Sequence, residues 1–294
     1  MKPRILVFID TPGWSADVTC SAVMARLKNE FNFSKRAYPY RLRHSDRKFD
    51  LIYVHCSYGI ETLMPGLNIA RSQKWPTKFA TGARGHYGYA RSKTHLAKFD
   101  ALNASSLLLL NILRRDFPNK PTYLCHCGVD VHLFRPLYRR RRCDPFTVGW
   151  AGNSSNAAKR CERLKQLPYP IKIADFRKQL GGKHYPHSEM PQFYNSLDVL
   201  VLVSDVEGCP MPTVEAAACA RCVVSTPVGS IREWLPEHWQ VKNTVDMTAR
   251  LRELEKSHDL RQQVGRQLRE LVVEKFSWSK VIKEYRAFFN GVVR

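Results

Sequence analysis

The sequence predicts an α/β protein built as two doubly wound domains, each a parallel sheet flanked by helices. Three observations carry this. Short apolar runs of strand length alternate with helical stretches. The alternation stops at a Pro-bounded, arginine-rich segment, FRPLYRRRRCDPF (134–146), and it restarts beyond that segment. The domains are therefore placed at 1–138 and 139–294. With 294 residues, 44% hydrophobic content and 15 glycines, the chain can bury two cores and does not have a disordered composition.

The elements follow in order. ILVFID (5–10) reads as a buried strand, TPGW as a turn, and residues 15–30 as a helix. FDLIYVHCS (49–57) and the shorter KFATGA (78–83) are further strands. FDALNASS (99–106) leads into the helix LLLLNILRRDF, and TYLCHCGVD (122–130) is a strand and turn. Beyond the linker, FTVGWAGN (146–153), IKIADF (171–176), DVLVLVS (198–204) and RCVVST (221–226) supply the second sheet. Ser188 is the expected N-cap of the helix EMPQFYNSL, and residues 246–293 read as nearly all helix.

The charge is unusual. Formal net charge is +21; residues 1–143 hold 25 Lys+Arg against 9 Asp+Glu, a net +16, leaving +5 for the rest. A surplus of this size implies an anionic partner: nucleic acid, an anionic membrane or a phosphorylated substrate. The N-terminal apolar run is short and broken by Asp10 and Pro12, and LLLLNIL is too short to span a bilayer. Nine scattered cysteines point to free thiols in a reducing cytoplasm. Neither Cys219 and Cys222 nor the Cys125-His126-Cys127 cluster has the partners that a zinc site needs, so no metal is expected.

The chemistry concentrates in EGCPMPTVEAAACARCVVSTPVG (207–229). A strand ends in a loop and a helix begins near Pro212, at the carboxyl end of a strand, where doubly wound sheets bind ligands. The free amides and dipole of a first helical turn suit a phosphate, and Gly208 permits close backbone approach. Glu215, in the expected first turn, has a dipole-complementing role available to it; Glu207, in the loop, has none. Two carboxylates beside a phosphate site suit the hydroxyls of a nucleotide sugar: ribose at one end, hexose at the other, diphosphate between.

These residues carry a resemblance. The stretch from HSEMPQFYNSL through SIREWL (187–235) resembles the donor-binding signature of GT-B fold glycosyltransferases of the large retaining family 4, with the E-x7-E pattern met by Glu207 and Glu215. CGVDVHLFRP (127–136) resembles the family's crossover, VGWAGNSSNAAKR (148–160) its first donor-domain strand and loop, and FSWSKVIKEYRAFF (276–289) its closing helix. The likeness is strong over 122–294 and weak before it.

The resemblance implies that Glu215 binds the donor ribose and Glu207 the transferred sugar, with Gly208, Cys209 and Pro210 lining the sugar pocket. Lys159, with amides around Met211, Pro212, Thr213 and Val214, would neutralise the diphosphate. Where the family often has an arginine, Trp150 and Asn153 stand, and its Lys-Gly is replaced by Lys159-Arg160. Gly13, in a loop with one glycine where the family has two, would lie near the acceptor and the donor phosphates. His86 is the candidate for a histidine touching the donor sugar, with His55 as the alternative.

The implied donor is a nucleotide sugar, first of all a UDP-sugar, with no other cofactor; no D-x-D motif occurs, consistent with metal-independent, retaining chemistry. The acceptor would sit on the basic N-terminal domain, with Arg84, Arg91, Lys93 and the linker residues Arg139, Arg140, Arg141 and Arg142 as anion-binding candidates. DNA with a hydroxymethylated base, as in viral DNA-modifying enzymes acting in a host cytoplasm, is the first expectation. A lipid-linked or envelope glycan at an anionic membrane is the second. A nucleic-acid-binding protein on a degenerate glycosyltransferase fold is the non-enzymatic alternative, disfavoured because Glu207, Glu215 and Lys159 are all present.

Overall fold

The computed structural model describes the chain apart from Tyr58, Arg139 and 177–179, and apart from the side chains at 86–88. It divides into two compact units, Met1–Cys127 with Val281–Arg294, and Gly128–Lys280. The expected boundary at 138/139 thus moves to 127/128. The cause lies in segment 134–146, which does not behave as a free linker. Phe134 is buried in the second unit's core, and Arg140 reaches Asp198 at 3.0 Å.

The first unit contains β1 (Arg4–Ile9), α1 (Ser15–Leu27), β2 (Asn32–Ala37), β3 (Leu51–Val54), α2 (Met64–Ser72), β4 (Lys78–Ala83), α3 (His86–Leu96), β5 (Ala101–Ala104), α4 (Leu107–Asp116) and β6 (Thr122–Leu124). All six strands are parallel, in the order β2-β1-β3-β4-β5-β6. The apolar runs are buried at every position of β3 and β5, as expected for parallel strands covered on both faces. β2 has no counterpart among the expected strands. It is a polar edge strand, NFSKRA, without an apolar run to betray it. Ser106 caps α4 by accepting from the Leu109 amide.

The second unit contains β7 (Val148–Gly152), β8 (Ile171–Asp175), α5 (Met190–Asn195), β9 (Val199–Leu202), α6 (Met211–Ala218), β10 (Cys222–Ser225), α7 (Thr244–Lys256) and α8 (His258–Phe276). Its sheet is parallel in the order β10-β9-β7-β8. Asn243 and Ser257 cap α7 and α8, which divides the expected C-terminal helical stretch. Ser188 is not a cap: α5 starts at Met190 after Glu189, with Pro191 setting the first turn. The final helix, α9 (Trp278–Val293), belongs to the first unit from Val281 on. There Phe288 and Phe289 make edge contacts of 5.2 and 5.7 Å with Tyr53.

Candidate donor site at the carboxyl ends of β7 and β9

In the second sheet the chain leaves β7 for β8 on one side and later returns to β9 on the other. The loops after β7 and β9 therefore diverge, which is where an open parallel sheet leaves a ligand crevice. Both loops carry predicted site residues, and the structure brings them together. Lys159 Nζ lies 2.6 Å from Glu207 Oε1, and the Ser204 hydroxyl donates to the same oxygen at 2.8 Å. Both side chains are only about a seventh exposed, at 14% and 13%. The Asp205 amide donates to Ala158 O at 3.0 Å, and Asp205 also holds Arg160 and, at 2.7 Å, Arg163. Sequence reading missed Ser204, Asp205 and Arg163; the pairing of Asp205 with Arg160 and Arg163 joins residues tens of positions apart, and no local spacing marks it.

Arg160 explains the departure from Lys-Gly. It adopts φ 49°, the left-handed region that costs an ordinary residue about 1–2 kcal/mol. The conformation a glycine would take is retained, with the Asp205 pair holding it. Asn153 Oδ1 accepts from the Ser155 amide at 3.1 Å and its hydroxyl at 2.7 Å, so this side chain shapes its own turn. Trp150 is fully buried in the core and does not reach the loop surface.

The loop 207–210 is held from the other side. Gly229, after β10, has φ 51°; the Ser230 amide donates to Gly208 O at 2.9 Å, and a Cβ on Gly229 would stand 2.3 Å from that oxygen. Helix α6 then begins at Met211 with Pro212 in its first turn and no side-chain cap, leaving the positive end of its dipole open toward Gly208, Cys209 and Pro210. Thr213 donates its amide and its hydroxyl to Pro210 O. Val214 is buried.

Glu215 is not in the first turn, contrary to expectation. The helix starts at Met211, which makes Glu215 its fifth residue, 8% exposed. Its Oε2 accepts from the buried Tyr194 hydroxyl at 2.7 Å, and His187 Nε2 stands 3.6 Å from Oε1. The carboxylate pushes the His187 pKa up, against an opposing effect of burial. Neither Tyr194 nor His187 was singled out from the sequence.

A family model described as glycosyl transferase-like matches residues 132–287, more than half of the chain. The chain belongs to this family. Among curated proteins, this glycosyl transferase-like chain is 30% identical over 116 residues to an uncharacterized glycosyltransferase of Methanocaldococcus jannaschii, covering 38% of this chain and 32% of that one. The chain thus matches under a third of the length of the curated relatives. Among solved structures it is similar to sucrose-phosphate synthase from Thermosynechococcus elongatus (TM-score 0.76, 14% identity, 99% and 100% coverage). It is also similar to Anabaena HepE in complex with UDP (TM-score 0.72, 12% identity, 99% and 100% coverage). These likenesses establish the GT-B fold, two α/β domains with parallel sheets.

The other candidates of this glycosyl transferase-like protein lie elsewhere. In the first unit, Gly13 follows β1 at φ 79° with nothing within 4 Å of its Cβ position, and its amide donates to Asp17 at 2.9 Å. His55 follows β3, so both occupy that sheet's switch point, between β1 and β3. Burial, aided by the Arg84 charge, holds the His55 imidazole well below its usual range, so it is neutral at pH 7. Arg84 is turned inward: it donates to His55 O at 2.9 Å, Cys125 O at 3.0 Å, Asn103 Oδ1 at 2.6 Å and the Tyr53 hydroxyl at 2.5 Å. Arg91 is exposed, and Lys93, half exposed, pairs with Asp116 at 2.7 Å.

In the second unit Arg140 is sequestered on Asp198, while Arg141 and Arg142 are exposed with partners Asp144 and Asp259. Arg139 and the His86 side chain lie outside the described residues. No group of His, Cys, Asp and Glu among the described residues is arranged to hold a metal ion. Among them, no helix is long and apolar enough to cross a membrane.

Proposed function

We propose that this protein is a retaining, metal-independent glycosyltransferase that takes a nucleotide-diphosphate sugar, first a UDP-sugar, and passes the sugar to a hydroxyl of a polyanionic acceptor. The observation that carries the donor half is the 2.6 Å Lys159–Glu207 pair across the β7/β9 crevice, beside the uncapped start of α6. Lys159 is placed to share its charge with the diphosphate, and the α6 dipole adds to it. Glu207 offers an acceptor to sugar hydroxyls, and Glu215 has a free lone pair for ribose hydroxyls beside the one Tyr194 occupies. The UDP bound to the similar HepE supports uridine as the first nucleotide to test.

In this reading the acceptor oxygen bonds to the anomeric carbon on the face that the phosphate leaves. The C–O bond to the diphosphate breaks, and the acceptor proton passes to the departing phosphate oxygen. The protein supplies position and charge rather than a nucleophile. The surplus of +16 over residues 1–143 supports a polyanionic acceptor, and hydroxymethylated DNA is the first to assay. The test is turnover of a UDP-sugar panel on hydroxymethylated duplex and, in parallel, on glycolipid in anionic vesicles, with mass detection of the product. Sugar on the DNA base supports the full proposal, and sugar on the lipid alone moves the acceptor to the membrane. The absence of both turnover and UDP binding refutes the donor assignment.

A further inference from the structure

Six of the first unit's cations share one position relative to its sheet. Every strand of its sheet is led by a cation at its first residue or within four positions before it: Arg4 for β1, Lys28 for β2, Lys48 for β3, Lys78 for β4, Lys98 for β5 and Lys120 for β6. In sheet order these form one row along the amino-terminal edge, and at ~4.8 Å per strand the row is ~24 Å long. Gly13 and His55 lie at the opposite, carboxyl, end. The second sheet lacks the pattern: Asp144 and Asp198 precede β7 and β9, residues 167–170 before β8 carry no charge, and Arg221 before β10 is buried.

The row is under-compensated. Lys28, Lys48 and Lys78 are exposed and have no ion pair among the described residues; Lys98 is exposed and reaches only Asn68 Oδ1, at 3.2 Å. The acids at this edge are already engaged, Asp50 with Arg4 at 3.9 Å and Asp100 with Arg71 at 2.7 Å. Lys120 is the least available, donating to Ala97 O and Phe99 O. Helix dipoles account for a cation such as Lys28 at the end of α1, but Lys48 and Lys78 end no α-helix.

We infer that this amino-terminal edge is a docking surface for a phosphodiester backbone, remote from the sheet's carboxyl end. A ~24 Å row matches the axial length of about seven nucleotide steps of a duplex at ~3.4 Å each. The distribution of apolar residues favours a nucleic acid over a membrane, because interfacial anchoring needs apolar side chains among the cations. Of the large apolar side chains exposed in this unit, Tyr38, Leu107 and Leu108 follow β2 and β5 at the other end, which leaves Met1 and, beside Asn68 near the end of α2, Ile69 at this edge, too few for a membrane anchor. Backbone contacts of this kind are independent of sequence and hold a flanking segment of a long polyanion, not the nucleotide that would react.

The test uses the full chain with Lys48→Gln, Lys78→Gln and Lys98→Gln combined. Anisotropy of a labelled, unmodified duplex is followed from about 50 to 200 mM salt. The wild type binds with a steep salt slope. The triple variant is expected to lose about one unit of slope per lysine, about three in all, and to bind at least about ten-fold more weakly at the lowest salt. The thermal melting midpoint, which serves as the fold control, is unchanged. An unaltered slope overturns the inference, as does the slope loss appearing instead in Arg91→Gln/Lys93→Gln, or wild-type binding to phosphatidylserine vesicles but not to DNA. No sugar transfer is measured, so this outcome is independent of the donor assignment.

Discussion

Removing Lys159 separates its two roles. In the free protein its ammonium sits 2.6 Å from Glu207 in a largely enclosed loop pair, so Lys159→Ala leaves a carboxylate with the Ser204 hydroxyl as its remaining donor. Stranding a part-buried charge costs about 1–3 kcal/mol of stability. Lys159→Ala/Glu207→Gln removes both charges and should recover most of that loss, an interaction energy that a double-mutant cycle reads directly from unfolding midpoints. Nucleotide binding should behave differently. A charge-assisted contact to phosphate is worth about 1.5–3 kcal/mol, so UDP binds about 10- to 150-fold more weakly to Lys159→Ala, and the double variant does not restore it. Glu207→Gln alone frees the ammonium and should bind UDP at least as tightly as wild type while losing turnover. Calorimetry on the four proteins gives the answer. If Lys159→Ala binds UDP as wild type does, the pair is a loop clasp and the diphosphate lies elsewhere.

Three further outcomes are expected. Gly229→Ala drives a Cβ to within 2.3 Å of Gly208 O at a positive φ, so the 207–210 loop must shift; a stability loss above about 2 kcal/mol and weakened UDP binding should appear together in melts and titrations. Tyr194→Phe leaves Glu215 short of one buried hydrogen bond, about 1 kcal/mol of stability, visible in urea unfolding. His187, whose pKa Glu215 raises from 6.5, adds stability that is fully present below pH 6.5 and is lost as pH climbs through the raised value; His187→Gln should flatten that decline in unfolding midpoints taken from pH 6 to 9.

Strands that lie inside a sheet announce themselves by their apolar runs, so β1, β3, β7 and β9 were legible in the sequence, whereas the edge strand β2, with two charged residues in six, was not. The motif glutamates and Lys159 were legible because their spacing is local or matches a family pattern. Their supports were not: Asp205 with Arg163, and Tyr194 and His187 with Glu215, are pairings created by the crossover between strands. Arg84 shows the opposite error. Its place among aromatic and basic residues suggested an exposed anion contact, but the interior of the first unit supplies four acceptors for its guanidinium. The +16 itself was visible, while the row of six cations at one sheet edge depends on where each strand begins.

The central claim is that the β7/β9 crevice holds a nucleotide diphosphate whose ribose lies on Glu215. Titration of UDP into wild type and Glu215→Ala, with matched melting curves, tests it most directly. The expected result is saturable one-site binding to the wild type and at least about a hundred-fold loss in the variant, which stays folded. Equal affinity for both proteins, or no binding to either, would contradict the assignment of this crevice.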